Sequence, residues 1–137
     1  MTALSFGPYI KSVTDRKTDL DWLSYNEENV NRYIADPWCG HPNTRGFWLE
    51  FMKGMSTLWD ENAMKCISPA EHILIVSGKD DPVGQMGEGL KWLYKKYKLL
   101  GIKDVSLKLY DCMRHEILNE KDNEKVYDDI LGFILGE

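Results

Sequence analysis

The sequence is poor in cysteine, has no long apolar run and carries no excess of positive charge, and each shortage removes a class of function. Three cysteines in 137 residues, Cys39, Cys66 and Cys112, are odd in number and widely spaced. They exclude a dense disulfide framework and suit free thiols in a reducing cytoplasm. The longest uninterrupted aliphatic run is Ile73-Leu74-Ile75-Val76, far below the ~20 residues that a membrane-spanning helix requires. The start at Met1–Tyr9 has no charged segment followed by an apolar one, so neither export nor membrane anchoring is expected. Seventeen Lys and Arg against 22 Asp and Glu give a net charge of −5. That is not the electrostatic footprint of a nucleic-acid binder, and the expected ligand is a small or apolar substrate or a protein partner.

What the chain does have, 43% hydrophobic and 28% charged residues, is the composition of one globular domain or part of one. Residues 1–68 read as helical and irregular, and residues 69–137 as alternating strand and helix. Ser24-Tyr25-Asn26-Glu27 has the S-x-x-E form of a capping box, which predicts a short helix from Tyr25 towards Ile34, ended by Asp36-Pro37. Thr44 can cap a second helix, in which Phe47, Trp48, Phe51, Met52, Met55, Leu58 and Trp59 recur at three and four residues. The run from Glu71 to Gly78 predicts a strand covered on both faces. A helix from about Gln85 to Leu100 follows, with Gly101 just past its end. Val105, Leu107 and Leu109 alternate with polar neighbours as a second strand, and Val126, Ile130, Leu131 and Ile134 mark a terminal helix capped by Asp122 or Asn123. A crossover of this length makes the two strands parallel, so the fold class is α/β.

In open parallel sheets, ligands lie beyond the carboxyl ends of the strands. Two loops leave those ends, Gly78-Lys79-Asp80-Asp81-Pro82-Val83-Gly84 and Asp111-Cys112-Met113-Arg114-His115-Glu116. Neighbouring strands are ~4.8 Å apart, close enough for an Asp from one loop to reach a His from the next. Such a pair is the orienting half of a nucleophile–base–acid relay, and the order Asp before His is that of α/β hydrolases. Spacing alone leaves Asp80 and Asp81 equally open.

Gly78-x-x-Asp81-Pro82-Val83-Gly84, then Leu109-Tyr110 and Arg114-His115-Glu116-Ile117-Leu118-Asn119-Glu120, resemble the C-terminal part of the α/β-hydrolase family. The likeness is to its bacterial lysophospholipase and monoacylglycerol-lipase-like branch, the serine aminopeptidase S33 type. Asp21-Trp22-Leu23-Ser24 and Tyr33-Ile34-Ala35-Asp36-Pro37-x-Cys39-Gly40 resemble the cap insertion of the same branch. The resemblance implies a helical cap over residues 1–68 and a C-terminal segment of the hydrolase sheet over 69–137, an incomplete fold on its own. It selects Asp81 as triad acid and His115 as general base, and a residue before proline is confined to extended geometry, which helps aim that carboxylate. Acyl transfer from a carboxylic ester of the lysophospholipid or monoacylglycerol kind, without a cofactor, is the implied reaction. The family's G-x-S-x-G elbow has no counterpart here; the nearest run, Gly54-Met55-Ser56-Thr57-Leu58, lacks the second glycine and falls inside a predicted helix. The isolated chain is therefore expected to be inactive, with its nucleophile on a missing N-terminal half or on a second chain. The rival reading is an inactive hydrolase-like fragment that serves as an interaction module.

Other candidates carry less. Trp48, Phe51, Met52 and Met55 form a face that suits a simple core, or an acyl-chain pocket if the cap lies above a hydrolase site. Cys39, His41, Cys66 and His72 fit no structural zinc spacing, and no metal is expected. Gly84, Gly87 and Gly89 match neither phosphate-binding glycine pattern. Lys91, Lys95, Lys96 and Lys98 read as a solvated helix face, and Glu116 and Glu120 take no role beyond the motif. A two-stranded parallel sheet is a poor sheet, so self-association is expected.

Overall fold

Where apolar residues alternate or run together between Gly and Pro breaks, the backbone extends, and where they recur every three or four residues it coils. A computed structural model describes residues 2–136, with side chains from Phe6 onward. The helices are α1 (Thr2–Ser12), α2 (Glu27–Ala35), α3 (Arg45–Thr57), α4 (Glu61–Lys65), α5 (Glu88–Leu99) and α6 (Glu124–Leu135). The strands are β1 (His72–Gly78) and β2 (Asp104–Tyr110), and short 3₁₀ turns occupy Asp21–Leu23 and Ile117–Asn119. Among the described residues no helix is long and apolar enough to cross a membrane, and the three cysteines are free thiols.

β1 and β2 pair in parallel, in a register running from His72 opposite Asp104 to Gly78 opposite Tyr110. Successive side chains of a strand point to opposite faces, and the two faces are covered by different helices. Ile75 and Val105 pack with Ile102 and with Leu90, Leu93, Tyr94 and Tyr97 of α5. Val76 and Tyr110 pack with Met113, Ile117 and Val126, the last two from the far loop and α6. A third cluster joins Val13, Trp22 and Leu23 to Phe6, Tyr9 and Ile10 of α1 and to Tyr33 of α2. At the amino end of the ladder the His72 ring bonds the Asp104 carboxylate.

Local signals decide most boundaries. Thr44 caps α3 by accepting the Phe47 N–H at 3.1 Å, and Asp60 caps α4 in the same way through Ala63 N–H at 2.8 Å. Gly101, at φ 87°, ends α5: its N–H bonds Lys98 O while Ile102 N–H bonds Tyr97 O, the paired closure that a left-handed residue permits.

Two expected helix starts move. Ser24 does not cap α2. It is extended and 2% exposed, its hydroxyl donates to Glu120, and the cap position falls to Asn26. α5 begins at Glu88 rather than at Gln85, because Gln85, Met86 and Gly87 all take left-handed backbone angles that cannot continue a right-handed helix. At α6 the cap position is Asn123, whose side-chain amide donates to Leu118 O instead of capping.

Candidate active site

The parallel register brings both C-terminal loops to the same end of the sheet. The loops are stitched directly after the last ladder rung, Lys79 N–H to Tyr110 O at 2.8 Å and Asp80 N–H to Met113 O at 3.0 Å. Gly78 permits this approach. A Cβ there would sit 2.1 Å from Met113 O and 2.3 Å from Arg114 O, so only glycine lets the second loop cross the first this closely.

Across that crossing, Asp81 Oδ2 and His115 Nδ1 are 3.1 Å apart. Asp81 is 5% exposed, and its other carboxylate oxygen accepts the Val83 N–H at 2.9 Å. One oxygen is thus used to fix the loop and the other faces the ring. The hydrogen bond to Asp81 raises the His115 pKa above its ordinary 6.5; partial burial opposes the rise, and the charges of Asp81 and Glu116 add to it. The ring lies against Trp22, with centroids 5.4 Å apart. Nε2 has no hydrogen-bond partner among the described residues, and the side chain is 39% exposed.

Asp80, the alternative acid, points elsewhere: its carboxylate accepts the Tyr25 hydroxyl at 3.0 Å. The ring of Tyr25 in turn carries the Arg114 guanidinium 3.8 Å from its centroid. Geometry separates the two aspartates that spacing left open.

The segment around the 3₁₀ turn Asp21–Leu23 forms one wall of the site. Arg114 donates to Asp21 O at 2.7 Å, Glu116 N–H to Leu23 O at 2.8 Å, and the Asn29 amide to the Glu116 carboxylate. Trp22 and Leu23 of that segment also border a cleft of about 350 Å³ lined by Phe6, Ile10, Tyr33, His41 and Trp48 among others. Trp48 thus lines a cleft that Trp22 shares with the site, whereas Phe51, Met52 and Met55 stand on the exposed surface of α3 and outside that cleft. A second, polar cleft of about 490 Å³ includes Asp21, Tyr25, Asp80, Met86 and Arg114.

No hydroxyl in the described residues stands as an activated nucleophile. Ser56 is inside α3 and donates to Lys53 O at 2.7 Å. Ser77 is buried, and its hydroxyl contacts Gly78 O and Asp81, not His115. Cys39, His41, Cys66 and His72 do not converge, and no group of three metal-ligating side chains exists among the described residues. Nothing in the spacing marks Trp22, Tyr25 or Glu120 as parts of the site, because each reaches it through a contact some 90 residues away in sequence or across two loops.

A parallel strand pair that delivers an aspartate from one loop and a histidine from the next defines the C-terminal part of an α/β hydrolase. The model of the family Serine aminopeptidase, S33 matches residues 3–122, and the chain belongs to that hydrolase family. It is 27% identical over 117 residues to a monoacylglycerol lipase of Mycolicibacterium smegmatis, covering 85% of this chain and 39% of that one. Its fold is similar to that of a thermostable carboxyl esterase from Bacillus coagulans solved in complex with glycerol, with TM-score 0.82, 28% identity and coverage of 96% of this chain and 43% of that one. A lipase in its open form shares the fold at TM-score 0.83 and 24% identity, over 97% of this chain and 43% of that one. The chain thus spans about two fifths of the length of these relatives.

Proposed function

We propose that this chain is the C-terminal part of a serine hydrolase that cleaves carboxylic esters of the lysophospholipid or monoacylglycerol kind. The observation that carries the reading is the 3.1 Å contact between Asp81 Oδ2 and His115 Nδ1. In this reading Asp81 is the acid and His115 the base. Asp81 holds the proton on Nδ1, which leaves the Nε2 lone pair free to take the proton of a serine hydroxyl and later to return it to the leaving group. Buried Asp81 also stabilises the imidazolium that forms on the way. The serine and the oxyanion donors stand on a polypeptide other than these 137 residues, either an N-terminal half or a second chain. Residues 1–68 act as the cap, and the apolar cleft beside Trp22 and Trp48 receives the acyl group, with Phe51, Met52 and Met55 extending that surface along α3. An ester is favoured over an amide because the similar proteins are a lipase and an esterase.

Labelling with a serine-reactive fluorophosphonate tests the proposal. The isolated chain is expected to stay unlabelled. A complex reconstituted with a polypeptide that carries a G-x-S-x-G elbow is expected to label strongly and to lose labelling on His115→Ala. Absence of labelling in a folded complex refutes the reading and leaves the interaction module in its place.

A further inference from the structure

Glu120 is 3% exposed, and a carboxylate that deep must be met by donors. Three meet it. The Ser24 hydroxyl donates to Oε2 at 2.8 Å, the Tyr25 N–H lies 3.0 Å from both oxygens, and the Arg114 N–H donates to Oε1 at 2.9 Å. None of these donors is a cationic side chain, so the carboxylate is held by a hydroxyl and two backbone amides rather than by an ion pair. They come from two distant stretches: Arg114 immediately precedes His115, and Ser24 and Tyr25 follow the turn that bears Trp22.

On the far side of His115, Glu116 N–H bonds Leu23 O at 2.8 Å. The backbone is therefore tied to the same segment both before and after the histidine. Resting on the reading of Asp81 and His115 as acid and base, we infer that Glu120 is a positioning residue that fixes the His115 backbone against the Trp22 segment so that Nδ1 faces Asp81. Without it, the backbone tie at Arg114 is lost, and what still joins the two stretches is the long Arg114 side chain on Asp21 O and Tyr25 and the bonds at Glu116, so the main chain just before the ring gains a freedom of rotation that these do not remove.

The readout is the tautomer of neutral His115, measured on the full chain from the ring nitrogen shifts in 15N NMR. Free imidazole side chains favour the proton on Nε2, whereas a bond to Asp81 places it on Nδ1. Asp81→Ala is expected to return His115 to the Nε2–H form. If it does not, both the acid–base reading and the positioning role fall. Glu120→Gln keeps the shape but sets an amide N–H against the Tyr25 or Arg114 N–H, and Glu120→Asp keeps the charge but withdraws the carboxylate by one methylene. In each the ratio of Nδ1–H to Nε2–H is expected to drop about tenfold, as loss of a charge-assisted bond implies. Far-UV circular dichroism and the thermal transition establish that each variant is folded. Should Glu120→Gln fail to fold, Ser24→Ala removes one donor, leaves both amides and is expected to shift the ratio in the same direction by less. Folded variants that lose stability yet keep the Asp81-bound tautomer would show Glu120 to be purely structural and overturn the inference, with the acid–base reading left standing by the Asp81→Ala control.

Discussion

At the scale of single residues the site is built by backbone geometry as much as by side chains. Gly78 lets two loops cross, and Gly78→Ala, which places a carbon 2.1 Å from Met113 O, is expected to destabilise the fold by about 3 kcal/mol or more and to part Asp81 from His115; urea unfolding and the His115 tautomer would both report it. Cys112 presents the opposite case. It holds φ 55° without being glycine, so Cys112→Gly is expected to raise stability by about 1 kcal/mol, read as a higher urea midpoint. The Asp81–His115 pair fixes a pH dependence. Because the folded histidine titrates above 6.5, the stability it contributes is fully present below that value and is lost as pH rises through the raised one. The unfolding midpoint of the native chain should therefore fall across that window, while that of Asp81→Ala stays flatter. The histidine and the Gly-x-x-Asp-Pro loop were legible in the sequence, since the loops after parallel strands are few and their residue types carry chemistry. Glu120 and Tyr25 were not, because a glutamate or tyrosine in a polar loop looks the same whether it is solvated or clamped by a partner 95 residues away.

At the scale of elements, the periodic segments are where sequence and structure agree, and the junctions are where they part. α3, β1, β2 and α6 stand where period and punctuation put them, and Gly101 closes α5 as its position requires. The starts that differ have separate causes, left-handed backbone at residues 85–87 before α5 and, before α2, a local cap motif lost to a tertiary contact. Ser24 has the right spacing for a capping box, but Glu120 takes its hydroxyl; at α6, Asn123 holds the expected cap position while its amide bonds Leu118 O within the same loop. The closure of α5 has a packing role as well. Ile102, 1% exposed, follows the left-handed glycine directly and fills the space between α5 and the sheet. Ile102→Ala is expected to cost about 2–4 kcal/mol, and amide exchange should show α5 and β2 loosening together. On the other face, the Tyr110 hydroxyl bonds Asp129 of α6 at 2.8 Å, and burial followed by that bond pushes the phenol well above its usual pKa. Both strands are thus fastened to a helix on each side.

At the scale of the whole molecule, the buried apolar side chains among the described residues fall into three separate clusters rather than one continuous core, and large apolar side chains face outward on α3, α5 and α6. Met52 is 63% exposed on α3, Leu99 85% on α5 and Ile134 70% on α6. Exposed apolar surface spread over several elements favours association. The isolated chain is therefore expected to gain mass with concentration in sedimentation equilibrium, and Leu131→Glu with Ile134→Glu to reduce that gain; a monomer at every concentration would contradict it. The incompleteness was legible early, in a lone strand-helix-strand unit with no elbow, but the exposed face of α3 was not, because the spacing that makes a helix amphipathic does not say what it meets. A two-stranded parallel ladder with few neighbours is also prone to slide, and here the ladder is pinned at both ends. His72 of β1 meets Asp104 of β2 at one end, and Asp81 after β1 meets His115 after β2 at the other. The two pairs lie about 20 Å apart along strands of seven residues, and the donor and acceptor strands are exchanged between them. A shift of either strand by one repeat breaks both pairs at once, so correct alignment of the strands and assembly of the Asp81–His115 pair become a single event: a chain that has paired its strands out of step announces it by the loss of that partly buried contact.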